Sequence, residues 1–196
     1  MVSREQQFYR VCEHGDLSHL SAFLHRESLA VNETNLLGWS ALHVSCRWDR
    51  ATVVRALLCD PRVNVNLPDA RGNTPLMVAC LNGRTEAVRE LLRSARVDLS
   101  IRNSLGMTAM NLAVTGAGKV GIVKWLLASR RVEPQDLEAS LEIAKNKGDQ
   151  SQVVGLLKRA AVAASQEDLV FELRKELGIN GEPVIFFSIA SSKKLG

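Results

Sequence analysis

The stretch that decides the fold runs from Gly72 to Leu92, GNTPLMVACLNGRTEAVRELL. Gly72 supplies the positive φ that a tight turn requires. Thr74 stands where a side-chain oxygen can take the first unpaired N–H groups of a helix. Pro75 follows at the first helical position, where a missing donor does no harm. Leu76, Val78, Ala79 and Cys80 give a short apolar face, and Gly83 predicts a left-handed stop. Ala87, Val88, Leu91 and Leu92 then recur as the stripe of a second helix buried on one side. Helices this short are not stable alone, so the stretch demands neighbours of the same kind.

The chain supplies them at a fixed step. Leu42, Leu76 and Met110 stand 34 residues apart, and one step further back lies Phe8, which opens FYRVCEHGDLSHLSAFL. Gly38, Gly72 and Gly106 keep the step, as do Ser40, Thr74 and Thr108. The pair closing the second helix recurs as Phe23-Leu24, Leu57-Leu58, Leu91-Leu92 and, one residue late, Leu126-Leu127. A fifth copy, LEIAKNKGDQSQVVGLL from Leu141 to Leu157, starts 31 residues after Met110. A turn and two helices repeated at a period in the low thirties predict an all-α solenoid of stacked pairs.

On these residues the chain resembles the ankyrin-repeat family. The family's T-P-L-H motif stands here as Ser40-Ala41-Leu42-His43, Thr74-Pro75-Leu76-Met77 and Thr108-Ala109-Met110-Asn111. The resemblance covers roughly residues 1–157, with repeats near 4–32, 33–66, 67–100, 101–133 and 134–160. Asp49 replaces the glycine between the helices of the second unit, and Asp tolerates that conformation. The resemblance implies projecting turns at Asn32–Gly38, Asn66–Gly72 and Ser100–Gly106, and a concave surface made of those turns and the first helices. It also implies a binding module rather than an enzyme, with no cofactor.

Composition agrees with a soluble globular protein: 46% apolar, 23% charged and only 5% aromatic. The formal charge of +4 is spread among acids without a block of like sign, a weak argument for nucleic acid. The N-terminal MVSREQQFYR lacks the apolar core of a secretory signal. The longest apolar run, Val184 to Ala190, is far shorter than a membrane span. The expected location is cytoplasmic or nuclear. Ser3 and Gln6 have capping-box spacing, so the first helix should start near residue 4.

Residues 158–196 fall outside the repeats and read as a C-terminal cap or extension. Ser165 to Asp168 offer an N-cap for a helix to Leu177, with Leu169, Phe171, Leu173 and Leu177 on its apolar side and Gly178 ending it. Asn180-Gly181 reads as a turn and Val184–Ile189 as a short strand. That strand either helps cover the last repeat or pairs with another sheet edge; self-association through it is the one departure from an expected monomer.

Motifs that look catalytic fail on context. Gly116, Gly118 and Gly121 match G-x-G-x-x-G, the one hint of a nucleotide-dependent enzyme. A dinucleotide site needs that motif to follow a strand, whereas here it follows the helix Thr108–Val114. Cys12, Cys46 and Cys80 are 34 apart and read as small buried hydrophobes, since neighbouring helix axes lie too far apart for disulfides. His43 reads as a structural hydrogen-bonding group, and His14, His19 and His25 have no partners at zinc spacing. Trp125, beside Leu126-Leu127, reads as core.

What remains is a set of sticky residues at positions expected to face a partner: Leu36, Leu37 and Trp39 on the first turn, then Arg47 and Trp48, which follow Cys46 in the second repeat's first helix. Their equivalents are Arg71, Asn73, Leu81 and Asn82 in the next unit, and Leu105 and Met107 beyond. Trp and Arg are enriched at binding hot spots, and an exposed apolar patch marks a partner site. The function expected is therefore a non-catalytic adaptor, scaffold or regulator that binds a protein or peptide on its concave face. The alternative is a nucleic-acid or transcription-complex role.

Overall fold

The computed structural model describes residues 4–26, 30–116, 119–146 and 151–179. Within them the chain forms eleven helices, and among the described residues there is no strand. In order they are α1 (Arg4–His14), α2 (Leu17–Leu24), α3 (Ala41–Arg47), α4 (Ala51–Cys59), α5 (Pro75–Leu81) and α6 (Thr85–Leu92). They continue with α7 (Ala109–Thr115), α8 (Lys119–Ala128), α9 (Pro134–Asn146), α10 (Ser151–Ala161) and α11 (Ala163–Glu176). The fold is an all-α solenoid of the kind the repeat period predicts.

Two layers make the stack. The first helices α1, α3, α5, α7 and α9 pack successively on one another, and the second helices α2, α4, α6, α8 and α10 form the layer behind them. Leu42, Leu76 and Met110 are buried between the layers, as are Leu57, Leu91 and Leu126 from the opposite side. The 34-residue step thus brings equivalent apolar faces into one continuous core. Three loops project as fingers between α2 and α3, α4 and α5, and α6 and α7. The fifth pair has none, because Pro134 opens α9 directly after the loop from α8.

Each of the three central first helices starts on a reciprocal cap. The Ser40, Thr74 and Thr108 side chains accept from the backbone N–H of His43, Met77 and Asn111. Their own N–H groups donate to His43 Nδ1, Met77 Sδ and Asn111 Oδ1 at 3.1, 3.5 and 3.0 Å. This is a capping box in which imidazole, thioether and amide replace the usual Glu or Gln. Asp49 takes φ 55°, the left-handed turn expected of it, and its Oδ1 caps Ala87 N–H at 2.8 Å.

The C-terminal region differs from the sequence expectation in two ways. Helix α11 begins at Ala163 with Val162 at its N-cap, so Ser165 lies inside the helix instead of capping it. Phe171, expected on the apolar side, is 72% exposed; Val170 is buried in its stead beside Leu169 and Leu173. Helix α10 runs through residue 157 to Ala161, and α11 packs on α8 and α10. The extension thus shares the core of the repeats. The Ser3 cap, the Asn180-Gly181 turn and the Val184–Ile189 strand lie outside the described residues.

Candidate protein-binding surface

The fingers are built on one residue that the sequence reading passed over. Asn35, Asp69 and Asn103 stand 34 apart, and each side-chain oxygen accepts two backbone N–H groups, from the residues two and four positions ahead. Asn35 Oδ1 takes Leu37 and Trp39, Asp69 Oδ1 takes Arg71 and Asn73, and Asn103 Oδ1 takes Leu105 and Met107, all at 2.8–3.1 Å. The glycine of each finger then donates to the same residue's carbonyl. Short polar side chains that mimic a backbone acceptor hold turns in this way. The result fixes the tips, and with them the residues before and after each glycine.

A polar line runs through the finger bases. His43 Nδ1 receives Ser40 N–H, which assigns the ring proton to Nε2, and Nε2 donates to the Asn73 carbonyl at 3.0 Å. Asn73 Oδ1 accepts from Asn103 at 2.9 Å, and Asp69 Oδ2 accepts from Trp39 Nε1 at 3.3 Å. Burial holds the His43 imidazole below its ordinary pKa, against the opposing pull of the Asn73 carbonyl and the Asp69 charge.

These bonds divide the residues picked from sequence. Asn73 is buried and serves the stack, so it leaves the binding set. Trp39 is half-buried, packs on the core and is tied down by Asp69; Met107 is likewise half-buried against the core. Asn82 is partly buried, and its amide returns to the Val78 carbonyl at 2.7 Å. The others face outward. Leu36 is fully exposed at 104%, Leu105 reaches 80% and Leu37 57%, while Trp48 and Leu81 are near half. The Arg47 guanidinium lies over the Trp48 ring at 5.7 Å, and Arg71 projects from the exposed second finger. Trp48 and Leu81 sit at the ends of neighbouring helices α3 and α5, so apolar surface is shared between two repeats.

Most other arginines are used internally, which sequence spacing did not disclose. Arg62, Arg96 and Arg131 each reach back to carbonyls closing the preceding pair. Arg62 binds those of Leu24 and Arg26, Arg96 those of Asp60 and Val63, and Arg131 those of Ser94 and Val97. Arg50 and Arg84 reach the Glu13 and Arg47 carbonyls at the ends of the preceding first helices α1 and α3. Buried Glu90 is ringed by Arg55, Arg89 and Arg93, and buried Asp136 pairs with Arg102.

Cys12, Cys46 and Cys80 are free, buried thiols. Burial pushes Cys12 up to about 12, and raises Cys46 and Cys80 as well. Cys59 is exposed. Among the described residues no three His, Cys, Asp or Glu side chains cluster as metal ligands would, and no helix is long and apolar enough to cross a membrane. Of the G-x-G-x-x-G match, Gly116 closes α7 against the previous repeat, where a Cβ would stand 2.6 Å from the Cys80 and Leu81 carbonyl oxygens. Gly121 lies within α8, and Gly118 lies outside the described residues. Trp125 is partly buried against the core.

Comparison with known families gives two matches. Residues 61–137 match a family model described as ankyrin repeats in three copies, and residues 24–76 match one described as ankyrin repeats in many copies. Together they span more than half of the 196 residues. No curated protein matches the chain.

Proposed function

The chain belongs to the ankyrin-repeat family, whose repeats are generally protein–protein interaction modules, and we propose that it binds a protein segment across its fingers and first-helix ends. Leu36, Leu37, Trp48, Leu81 and Leu105 form the apolar contacts, and Arg47 and Arg71 the polar ones. The role is that of an adaptor, scaffold or regulator in the cytosol or nucleus, without catalysis. The observation that carries this is apolar exposure at finger tips whose backbone is held by Asn35, Asp69 and Asn103. Large side chains on a rigid, pre-shaped support lose little freedom on binding. The nucleic-acid alternative is disfavoured by the arginines, since Arg50, Arg62, Arg84, Arg96 and Arg131 are engaged with backbone carbonyls.

Affinity capture from a native extract tests the proposal, with Trp48→Ala/Leu81→Ala as the control. Both residues lie on the surface, so the double variant should melt with the wild type while losing its captured partner by about tenfold or more. A partner retained equally by both proteins would remove the surface from consideration. A bound partner released steeply by salt would favour the nucleic-acid reading.

A further inference from the structure

The third finger has an open side. Inside the chain each finger is laid against the next by one backbone hydrogen bond: Ala70 N–H to the Leu37 carbonyl at 3.2 Å, and Ser104 N–H to the Arg71 carbonyl at 3.0 Å. The approach is close. A Cβ on Gly38 would stand 2.5 Å from the Ala70 nitrogen, and one on Gly72 2.9 Å from that of Ser104. The next bond of the series would fall on the Leu105 carbonyl, but the fifth pair brings no finger. A Cβ on Gly106 would accordingly meet nothing within 4 Å. The Leu105 carbonyl has no protein donor among the described residues, and its side chain is 80% exposed. At the finger's base Arg102 bridges the Gly106 carbonyl and Asp136 at 3.2 and 2.6 Å, which confines the open strip to the tip, Ser104–Gly106.

We propose that this strip receives an extended segment of a partner protein, laid beside the third finger as each finger is laid beside the one before. The inference rests on the protein-binding reading above and specifies how the partner is gripped. A backbone N–H of the segment donates to the Leu105 carbonyl, and an adjacent apolar side chain covers Leu105. The occupant follows from continuity, because two copies of the same bond within the chain define the group that must be offered. Backbone pairing of this kind gives affinity, while the neighbouring side chain gives selectivity. A second copy of the chain cannot continue the series. Its own finger is followed by α3, which would need the place that α9 already holds against α7.

The test uses the whole chain and a random-peptide library displayed on phage. Recovered peptides are synthesised and titrated by fluorescence anisotropy against wild type, Leu105→Asp and Trp48→Ala. We expect Leu105→Asp to weaken them about tenfold or more, and N-methylation of one amide next to an apolar residue to do the same. Leu105 is exposed, so circular dichroism should show Leu105→Asp melting as wild type does. Peptides indifferent to Leu105→Asp, a flat N-methyl scan, or a library that yields no binder would overturn the proposal. Dependence on Trp48 but not on Leu105 would overturn it while leaving the protein-binding reading standing. A dimer in sedimentation that Leu105→Asp splits would assign the strip to a second copy and also overturn it.

Discussion

His43 illustrates how one side chain can hold two neighbouring repeats in register. Its Nδ1 accepts the N–H that starts its own helix, and its Nε2 donates to Asn73 in the next unit. The first of these bonds needs the neutral ring. Protonation would set a donor against the Ser40 N–H and strip the cap of its acceptor. Burial already depresses the folded-state pKa, so the unfolded chain takes up the proton first as pH falls below the ordinary imidazole value of about 6.5. Stability is therefore fully expressed above that pH and declines below it, with a slope of at most about 1.4 kcal/mol per pH unit for one proton. Met77 occupies the same position one repeat later and caps through sulfur. His43→Met should accordingly keep the helix start and lose the titration. Urea midpoints at several values between pH 7 and 5 should fall less steeply for the variant; equal slopes would mean that His43 does not titrate across unfolding. Other histidines, including His19 beside Asp16, are common to both proteins and drop out of the comparison.

At the scale of elements, glycine separates packing from helix propensity within one helix pair, α7 and α8. Gly116 closes α7 where a Cβ would run into two carbonyl oxygens of the preceding repeat, whereas Gly121 sits inside α8 with open space where its Cβ would be. Gly116→Ala should cost about 1–3 kcal/mol through overpacking, and Gly121→Ala should add about 0.5–1 kcal/mol through helix propensity. Chemical denaturation of the two variants checks both signs, and a stabilising Gly116→Ala would contradict the close approach. Such packing explains the first glycine of a pattern that resembles a nucleotide motif. The repeats themselves were legible in the sequence because helix starts, left-handed stops and apolar stripes are local and recur at one spacing. Exposure of Leu36, Leu37 and Leu105 was legible for the same reason, since their place beside a turn glycine sets it. The fates of Trp39 and Asn73 were not. Each is decided by a partner 30 residues away, Asp69 for the indole and Asn103 for the amide. The back-reaching Arg62, Arg96 and Arg131 were hidden likewise, because a long polar side chain gives no sign in sequence of which carbonyl it will meet. Asn35, Asp69 and Asn103 were a readable signal that went unread.

For the molecule as a whole, α11 decides whether the fold ends with the fifth pair or beyond it. It carries Leu169 and Leu173 into the same core as Leu126 and Leu157, and it faces the second-helix layer, leaving the fingers clear. Ion pairs from Glu176 to Lys124 and from Glu167 to Arg130 tie its two ends to α8 and the loop that follows. Surface pairs of this sort contribute little, so the apolar contacts must supply most of the attachment. Leu169→Ala should therefore cost about 2–5 kcal/mol, while Phe171→Ala, two residues away on the exposed side, should change stability by less than about 0.5 kcal/mol. Trp125 gives the readout, being partly buried against the core on α8, the helix on which α11 packs. In a background with Trp39→Phe and Trp48→Phe, its fluorescence follows the last repeats as urea is raised. A coupled extension moves that transition to lower urea in Leu169→Ala and leaves it in place in Phe171→Ala. An accessory helix that merely rests on a complete array would leave Trp125 unfolding at one midpoint in both, and the repeats would then end at α10.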